Sequence, residues 1–419
     1  MKDRRLFYSL NLTLFLLFTL WGCRTLVKVS NLNLQNIYKQ ELSEINPEVI
    51  IYHQNDEESI LYFRIKSDEL HYIKKPDEAK FKSKITLSYN IITSYNSTKP
   101  LDSASVLLID SVHFESGKYI QDSIVFKAKS GNDYIMHLKI IDHNKKSELS
   151  YIYEIKKQHA YSSQNFKIYN SGGEMAFSNF IANSSVIKLN HNSKADFQMN
   201  AMLISEDLKP ARPPFLEETI TDEEINTKSI GIIKFIDGEA IVNIDKNGHC
   251  RFFHGDETFN GFSLFYFHDG YPKLTSYQSM LNPIRYIVSN TEFSAVSESA
   301  DLRGAIDRFW VGVAGDPVRA RSLVSRYYNN VQLSNIFFTS YKEGWKTDRG
   351  MIYTIFGAPD IVILNDGFEV WHYKDTWRMN ELQFEFIKKS HPYSDNHYVL
   401  KRKADYRNPW YLGIENWRK

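Results

Sequence analysis

The stretch "EGWKTDRGMIYTIFGAPD", residues 343–360, decides how the C-terminal part of the chain is interpreted. It places a tryptophan and a Thr-Asp pair between two glycines and continues with an apolar run. Trp345 is large enough to anchor a loop in a hydrophobic core. Thr347 and Asp348 belong to the residue types that fix turns by bonding neighbouring backbone amides. These features predict a tryptophan-anchored turn.

The other residues of this stretch extend that prediction. We expect Gly344 to take a positive φ, and Gly350 to permit a close approach of two chain segments. Arg349 has several acidic residues available as ion-pair partners, namely Asp307, Asp348 and Asp360. Residues 351–356 alternate enough to predict a strand, and "GAPD" after them predicts a turn in which proline fixes φ.

Helical periodicity precedes the stretch and strand-like runs follow it. One set of apolar residues recurs at helical spacing: Leu302, Ile306, Phe309, Trp310 and Val313. Asp316 is predicted to cap a second helix, of which Pro317 is the first residue. The later runs "IVIL", "FEVWHYK", "LQFEFIKK" and "HYVLKRK" predict strands. Residues 289–419 are therefore predicted to form an α+β domain with two helices packed on a small antiparallel sheet.

Several short motifs occur in this region in order: "DRFW" from Asp307, "DP" from Asp316, Tyr327-Tyr328, "GWKTDRG" from Gly344, Ile352-Tyr353 and "FGAPD" from Phe356. Together they resemble the GWxTD domain, which lies at the C-terminal end of bacterial envelope proteins, often lipoproteins. Ala358 stands where a second proline is common. The family has no established activity or ligand, so the resemblance names a domain and no reaction. The candidate residues form either a ligand or partner site or a structural turn: Trp345, Thr347, Asp348, Arg349 and Asp360.

Upstream of residue 289 the sequence predicts two β-rich domains, at residues 47–157 and 160–288. Short runs of alternating polarity are separated by Asn, Asp, Gly and Pro turn signals. Their spacing is typical of immunoglobulin-like β-sandwiches, although no Cys-Trp-Cys pattern is present. A proline-rich stretch, residues 207–224, predicts a surface loop. The expected fold class is mostly β, with two β-sandwich-like domains ahead of the C-terminal α+β domain.

The beginning of the chain predicts its location. Three basic residues precede an apolar run, Leu6–Trp21, that is shorter than the about 20 residues of a membrane-spanning helix. This arrangement matches a secretory signal peptide over residues 1–22. It ends in "LWGC", which resembles a bacterial lipobox and makes Cys23 the expected lipidation site. Residues 23–46 would then be a tether, and an uncleaved signal anchor is the alternative.

The predicted lipid anchor defines the first expected partner, the membrane. Several acyl chains on one cysteine hold a protein on a bilayer firmly. No acidic residue follows Cys23 directly, which favours the outer membrane and a periplasm-facing orientation over surface export. The formal net charge of the chain is +1, so we expect no binding of nucleic acid.

Patterns for catalysis and for cofactors are missing from the sequence. It contains no Walker loop, no G-x-G-x-x-G and no G-x-S-x-G elbow, so we expect neither an enzyme nor a cofactor. His249, Cys250, His254 and Asp256 lie close together in sequence. Their spacing lacks the paired pattern of metal ligands, and strand histidines beside phenylalanines are usually structural. No metal is predicted.

Residues 252–271 contain eight Phe or Tyr residues and allow two interpretations. An outward aromatic strip would stack on sugars or dock a protein. Alternatively, both faces are covered, one by the core and one by a neighbouring domain. The leading hypothesis is a non-enzymatic binding or assembly role towards other envelope proteins. The rival hypothesis is a carbohydrate-binding or carbohydrate-active envelope protein.

Overall fold

A computed structural model gives the fold and describes residues 28–39, 44–112, 117–181, 185–205, 207–217, 225–244, 247–374 and 381–418. The predicted signal peptide and Cys23 lie outside these residues. The described chain is mostly β, with helices concentrated towards the C-terminus. The predicted fold class is therefore confirmed.

In the described residues, the first β-sandwich contains seven antiparallel strands. Residues of β2 alternate between the buried core side and the outer side of the sheet. The strands are β1 (Glu48–His53), β2 (Glu58–Lys66), β3 (Phe81–Ile92), β4 (Asp102–Val112), β5 (Tyr119–Lys127), β6 (Asp133–Asp142) and β7 (Ser147–Lys156). They form one sheet in the order β1-β2-β5 and another in the order β4-β3-β6-β7. Phe63, Leu87, Phe126 and Leu138 come from both sheets and share one core.

The second β-sandwich repeats this layout with a three-stranded and a four-stranded sheet, in the orders β12-β9-β8 and β11-β10-β13-β14. Its strands are β8 (Phe166–Tyr169), β9 (Ser185–His191), β10 (Phe197–Ile204), β11 (Lys228–Phe235), β12 (Glu239–Ile244), β13 (Gly248–Phe253) and β14 (Gly261–Tyr266). Asp237 and Gly238 join β11 to β12, both with positive φ. Two consecutive positive φ values define the tight hairpin turn that Asp-Gly favours.

In the part of the C-terminal unit that the structure describes, six α-helices combine with a four-stranded antiparallel sheet in the order β15-β16-β17-β18. The helices are α1 (Tyr277–Leu281), α2 (Asn290–Ser297), α3 (Leu302–Ala314), α4 (Pro317–Phe338), α5 (Asp348–Phe356) and α6 (Arg407–Trp417). The strands are β15 (Ile361–Asn365), β16 (Phe368–Tyr373), β17 (Leu382–Lys388) and β18 (Tyr398–Leu400). Asp316 caps α4 by accepting from two amides, with Pro317 first in the helix, as predicted.

The predicted strand at residues 351–356 is wrong, because this segment forms the last six of the nine residues of helix α5. The Thr347 hydroxyl oxygen accepts from the Gly350 amide at 3.1 Å and so caps the helix. Every residue of α5 is buried, so its sequence lacks the polar face by which helical periodicity is recognised. The sequence contains the cap, but its apolar run does not distinguish a buried helix from a strand.

Residues 28–38 belong to the segment predicted as a tether, and they are packed against the rest of the protein. Two 3₁₀ turns, Val29–Asn31 and Gln35–Tyr38, lie in this segment. The Leu34 amide donates to the Val362 carbonyl at 2.9 Å, which attaches the segment to β15. The Tyr38 ring is buried in the core of the C-terminal unit.

The core of the C-terminal unit extends into the first sandwich. Ile92 of β3 and Ile135 of β6 belong to the same buried cluster as Trp310, Phe338 and Trp371. The first sandwich and the C-terminal unit are therefore joined by continuous apolar packing, and residues 28–38 lie along their junction.

Candidate functional site

The two motif glycines bring three chain segments into contact. A Cβ added to Gly344 would lie 2.0 Å from the Ser334 carbonyl oxygen on α4. A Cβ added to Gly350 would lie 1.9 Å from the carbonyl oxygen of Gly344 itself. Gly344 is not among the residues with positive φ, so that prediction is wrong. The reason for both glycines is close backbone approach.

Trp345 anchors the loop between α4 and α5, as predicted. Only 4% of its surface is exposed. Its amide donates to the Asn335 side-chain oxygen at 3.2 Å, and its carbonyl accepts from the Tyr286 hydroxyl at 3.0 Å. The Tyr286 and Trp345 rings meet edge to face at 5.9 Å. The neighbouring Lys346 is also buried and pairs with Glu343 at 2.8 Å.

Asp348 holds the C-terminal strand against the motif. Its carboxylate accepts two hydrogen bonds from the Arg402 guanidinium, at 2.6 and 3.0 Å. It also accepts from the Leu400 amide at 2.7 Å, at the end of β18. Both side chains of the ion pair are more than nine-tenths buried. Bidentate pairing of this kind fixes geometry as well as charge.

Arg349 pairs with Glu369 of β16, and with none of the three acidic residues expected from the sequence. Its Nη1 lies 3.0 Å from the Glu369 carboxylate, and side-chain exposure is 5% and 1% respectively. Its guanidinium lies 3.8 Å from the Tyr398 ring centroid and also bonds the Asn396 side chain. The Glu369 carboxylate accepts from the Trp371 indole at 2.6 Å. The guanidinium of Arg349 is therefore buried, and it is held by an ion pair, a hydrogen bond and a contact with an aromatic ring.

A signal for Glu369 was present in the sequence. Within "FEVWHY" it has the same parity as Trp371 and Tyr373, so it lies on the apolar face of its strand. A carboxylate in such a position requires a buried partner. The sequence gives no comparable signal for Tyr38, whose hydroxyl lies 3.3 Å from Arg349 across more than 300 residues of chain.

Asp360 lies apart from the other motif residues. It is exposed, and its carboxylate accepts from the Lys374 amide at 2.7 Å at the start of the β15-β16 pair. Of the candidate residues, Trp345, Thr347, Asp348 and Arg349 are brought together around the start of α5, and Asp360 is not. Its contacts are those of a turn.

A pocket of about 360 Å³ opens where the first sandwich meets the C-terminal unit, with Arg349 and Glu369 in its wall. The rest of its lining is rich in tyrosine: Tyr38, Tyr95, Tyr151, Tyr153 and Tyr398. Among the described residues, no hydrogen bond uses the hydroxyls of Tyr95, Tyr153 or Tyr398. Burial raises the pKa of Tyr95 and Tyr153, so both hydroxyls keep their protons and can donate or accept.

The pocket runs along the free edge of β7. The Ser150 carbonyl accepts from Asn36 at 2.7 Å, and the Glu154 carbonyl accepts from Gln164 at 2.7 Å. Both carbonyls therefore point away from β6. Ile152 lies between them and lines the pocket. Because antiparallel pairing alternates sides, its N–H and C=O face this same free edge.

The aromatic strip at residues 252–271 is covered on both faces along its strands. Every residue of β13 and β14 is buried. Phe252 and Phe262 belong to the core of the second sandwich. On the other face, the Ser263 hydroxyl donates to the Tyr393 carbonyl at 3.4 Å, which brings the C-terminal unit against the sheet. Along β13 and β14 the strip therefore offers no open aromatic surface for sugars, while Phe259 in the loop between them is 51% exposed.

His249 and Cys250, on β13 just before the aromatic strip, are structural. His249 is fully buried and its Nε2 lies 2.7 Å from the Ser263 hydroxyl. Cys250 is buried in the core of the second sandwich. In the part of the chain that the structure describes, no three His, Cys, Asp or Glu residues are placed to hold a metal ion.

Two buried histidines predict that the protein loses stability in mild acid. Burial is the main reason that the pKa of His53 falls to about 4 and that of His249 to about 3. An unfolded histidine titrates near 6.5, so the unfolded chain binds more protons below that pH. The free energy of unfolding should therefore fall as pH drops from about 6.5 towards 4, by about 1 kcal/mol per pH unit for each histidine.

Urea unfolding at pH 7, 6 and 5, followed by circular dichroism, measures this slope. His53→Gln should flatten it, because glutamine takes up no proton in either state. The exposed His71→Gln is the matched control and should leave the slope as it is. An equal slope in all three proteins would contradict the assignment to His53.

The comparisons with known proteins agree with the motif. None of the helices in the described residues is long and apolar enough to cross a membrane. No curated protein matches the chain. The family model of the GWxTD domain matches residues 250–419, a range that begins upstream of residue 289, within β13, and includes β14. The C-terminal part of this chain is a GWxTD domain, and the protein is a GWxTD domain-containing protein.

Proposed function

We propose that this protein is a lipid-anchored protein of the cell envelope with a non-enzymatic role, and that it binds an extended segment of another envelope protein. The observation that carries the binding role is the tyrosine-lined pocket along the free edge of β7. An extended polypeptide pairs with a free strand edge through backbone hydrogen bonds, and neighbouring side-chain pockets select its residues. Ile152 supplies the backbone pair, and the unused tyrosine hydroxyls supply side-chain contacts.

The position of the pocket supports a role in assembly. Its walls come from the first sandwich, from residues 28–39 and from the GWxTD domain. A bound segment would therefore contact all three at once. If Cys23 carries the lipid, the pocket lies on a chain whose beginning is held at the membrane, which would bring it close to other envelope proteins.

Site-directed photocrosslinking in intact cells tests the binding role. A benzophenone amino acid in place of Tyr153 should give a discrete adduct with a second protein. The matched control is Leu107 on β4, the opposite edge of the same sheet, which is 50% exposed and should give none. The absence of an adduct at position 153, or equal adducts at both positions, would count against the proposal.

A second pair of variants tests the backbone edge. Ile152→Pro removes one N–H that faces away from β6, a position where an edge strand tolerates proline. It should abolish the adduct formed through position 153. Ile152→Ala shortens the side chain but keeps the N–H, so it should retain the adduct. Loss in both variants would assign the contact to the side chain instead.

The lipid anchor has its own test. Cys23→Ser should move the protein from the membrane fraction to the soluble periplasmic fraction. The protein that retains Cys23 should stay with the outer membrane. Retention of the Cys23→Ser protein in the membrane would favour an uncleaved signal anchor. The result is independent of the crosslinking outcome.

Carbohydrate binding remains the second candidate, now at the tyrosine pocket. Aromatic faces and free hydroxyls also suit a sugar. A glycan array and a glycosidase screen with the full chain separate the two candidates. Sugar binding that is lost in Tyr153→Ala would favour the glycan, and a negative array together with a protein adduct would exclude it.

A further inference from the structure

A second pocket lies between the second sandwich and the C-terminal unit, and it shares Asn396 with the tyrosine pocket. Its volume is about 360 Å³, and its walls come from β13, β14, residues 177–180, the end of α4 and residues 394–396. The rim is held in place by backbone bonds, since the Phe265 amide donates to the Asn179 carbonyl at 2.8 Å. The pocket is therefore bounded by two packed units.

Arg251 of β13 lines this pocket and is 1% exposed. Its Nε and Nη2 donate to the carbonyls of Thr258 and Phe259, at 2.8 to 3.2 Å. Its Nη1 donates one hydrogen bond, to the Ser263 hydroxyl at 3.2 Å. A guanidinium has five N–H groups, so one N–H on Nη1 is left for a further acceptor.

The charge of Arg251 lacks a direct acidic partner. Among the described residues, no carboxylate lies within ion-pairing distance of it. Asp395 is also in the pocket wall, but it pairs with Lys156 at 3.0 Å. Carbonyl and hydroxyl oxygens satisfy hydrogen bonds without neutralising the charge. Asp395 stabilises the Arg251 charge only from beyond ion-pairing distance, so burial of this cation remains costly, and an anion in the pocket would offset that cost.

We propose that this pocket binds a small aromatic monocarboxylate, with its carboxylate on the free N–H of Arg251. The apolar walls suit an aromatic body: Phe177, Phe180, Phe265 and Ile336. A single negative charge fits best, because the pocket offers one unpaired cation and also contains the Asp395 carboxylate. A dianion such as a phosphate monoester would be repelled by that carboxylate.

Calorimetric titration of the full chain tests this with three probes of similar shape. Phenylacetate should bind saturably. Phenylacetamide, which lacks the charge, and phenyl phosphate, which carries two charges, should bind about tenfold more weakly or worse. The absence of saturable phenylacetate binding would overturn the proposal, as would equal binding of phenylacetamide. Tighter binding of phenyl phosphate would overturn the assignment to a monoanion.

Three variants locate the binding site. Arg251→Met should weaken phenylacetate binding by about tenfold, the effect of losing one charge-assisted hydrogen bond. Because this variant removes several buried bonds, Ile336→Trp provides a second test: the residue is 39% exposed, and a larger side chain there fills the pocket. Val318→Trp, at an 83% exposed position of the same helix, is the matched control and should bind normally. Unchanged binding in Ile336→Trp would place the ligand elsewhere.

Discussion

Gly350→Ala is expected to destabilise the GWxTD domain by about 3 kcal/mol, because overpacking against a backbone that cannot move aside is costly. The added Cβ would lie 1.9 Å from the Gly344 carbonyl oxygen and 2.9 Å from the Trp345 Cα. Helix propensity alone predicts that Gly350→Ala raises the free energy of unfolding, because alanine in a helix interior is favoured over glycine by about 1 kcal/mol. The measured sign therefore decides between close approach and propensity.

Gly312→Ala is the matched control. Gly312 also lies inside a helix, α3, but it is exposed and an added Cβ would meet nothing within 4 Å. The free energy of unfolding of this variant should be higher than that of the unsubstituted protein by about 0.5 to 1 kcal/mol. Urea unfolding followed by tryptophan fluorescence reports on the GWxTD domain, because every tryptophan after Trp21 lies between Trp310 and Trp417. If Gly350→Ala changed the free energy of unfolding by the same amount as Gly312→Ala, the close approach at Gly350 would not contribute to stability.

The parts of the fold that the sequence predicts are those with a local pattern. Alternating burial in β2 is visible as alternating residue types, and Asp316-Pro317 marks the start of α4. Helix α5 was mistaken for a strand because burial on every side removes both alternation and helical periodicity. The C-terminal helix, Arg407–Trp417, was not predicted at all.

The site is harder to predict because its partners are distant in sequence. The motif letters alone predicted the tryptophan-anchored turn before α5. Arg349 on helix α5, however, meets Glu369 on strand β16 and Tyr38 near the beginning of the described chain. The aromatic strip shows the same limit. Its composition allowed an exposed surface, and only the packing of the C-terminal unit over β14 shows that it is covered.

Arg349→Met is expected to cost about 3 to 5 kcal/mol, because it leaves the Glu369 carboxylate buried without its cation. The indole of Trp371 would remain as a donor to that carboxylate, but it carries no charge. Glu369→Gln should also be destabilising, although Arg349 keeps its contacts with Tyr38, Asn396 and Tyr398. The double variant should lose less free energy of unfolding than the two single variants lose together. Each single variant leaves the other member of the pair buried without its partner, and the double variant leaves no such charge.

The exposed pair of Arg308 and Asp301 is the matched control. Its atoms lie 3.5 Å apart with side chains about two-thirds exposed, so Arg308→Met should change the free energy of unfolding by less than about 1 kcal/mol. Tryptophan fluorescence in urea measures the free energy of unfolding of all four variants.

Because Arg349 also lines the tyrosine pocket, the same proteins can carry the crosslinker at position 153. A large loss of stability identifies the motif arginine as the charge that joins α5 to the sheet. An unchanged unfolding transition with a lost adduct would instead identify it as a binding residue.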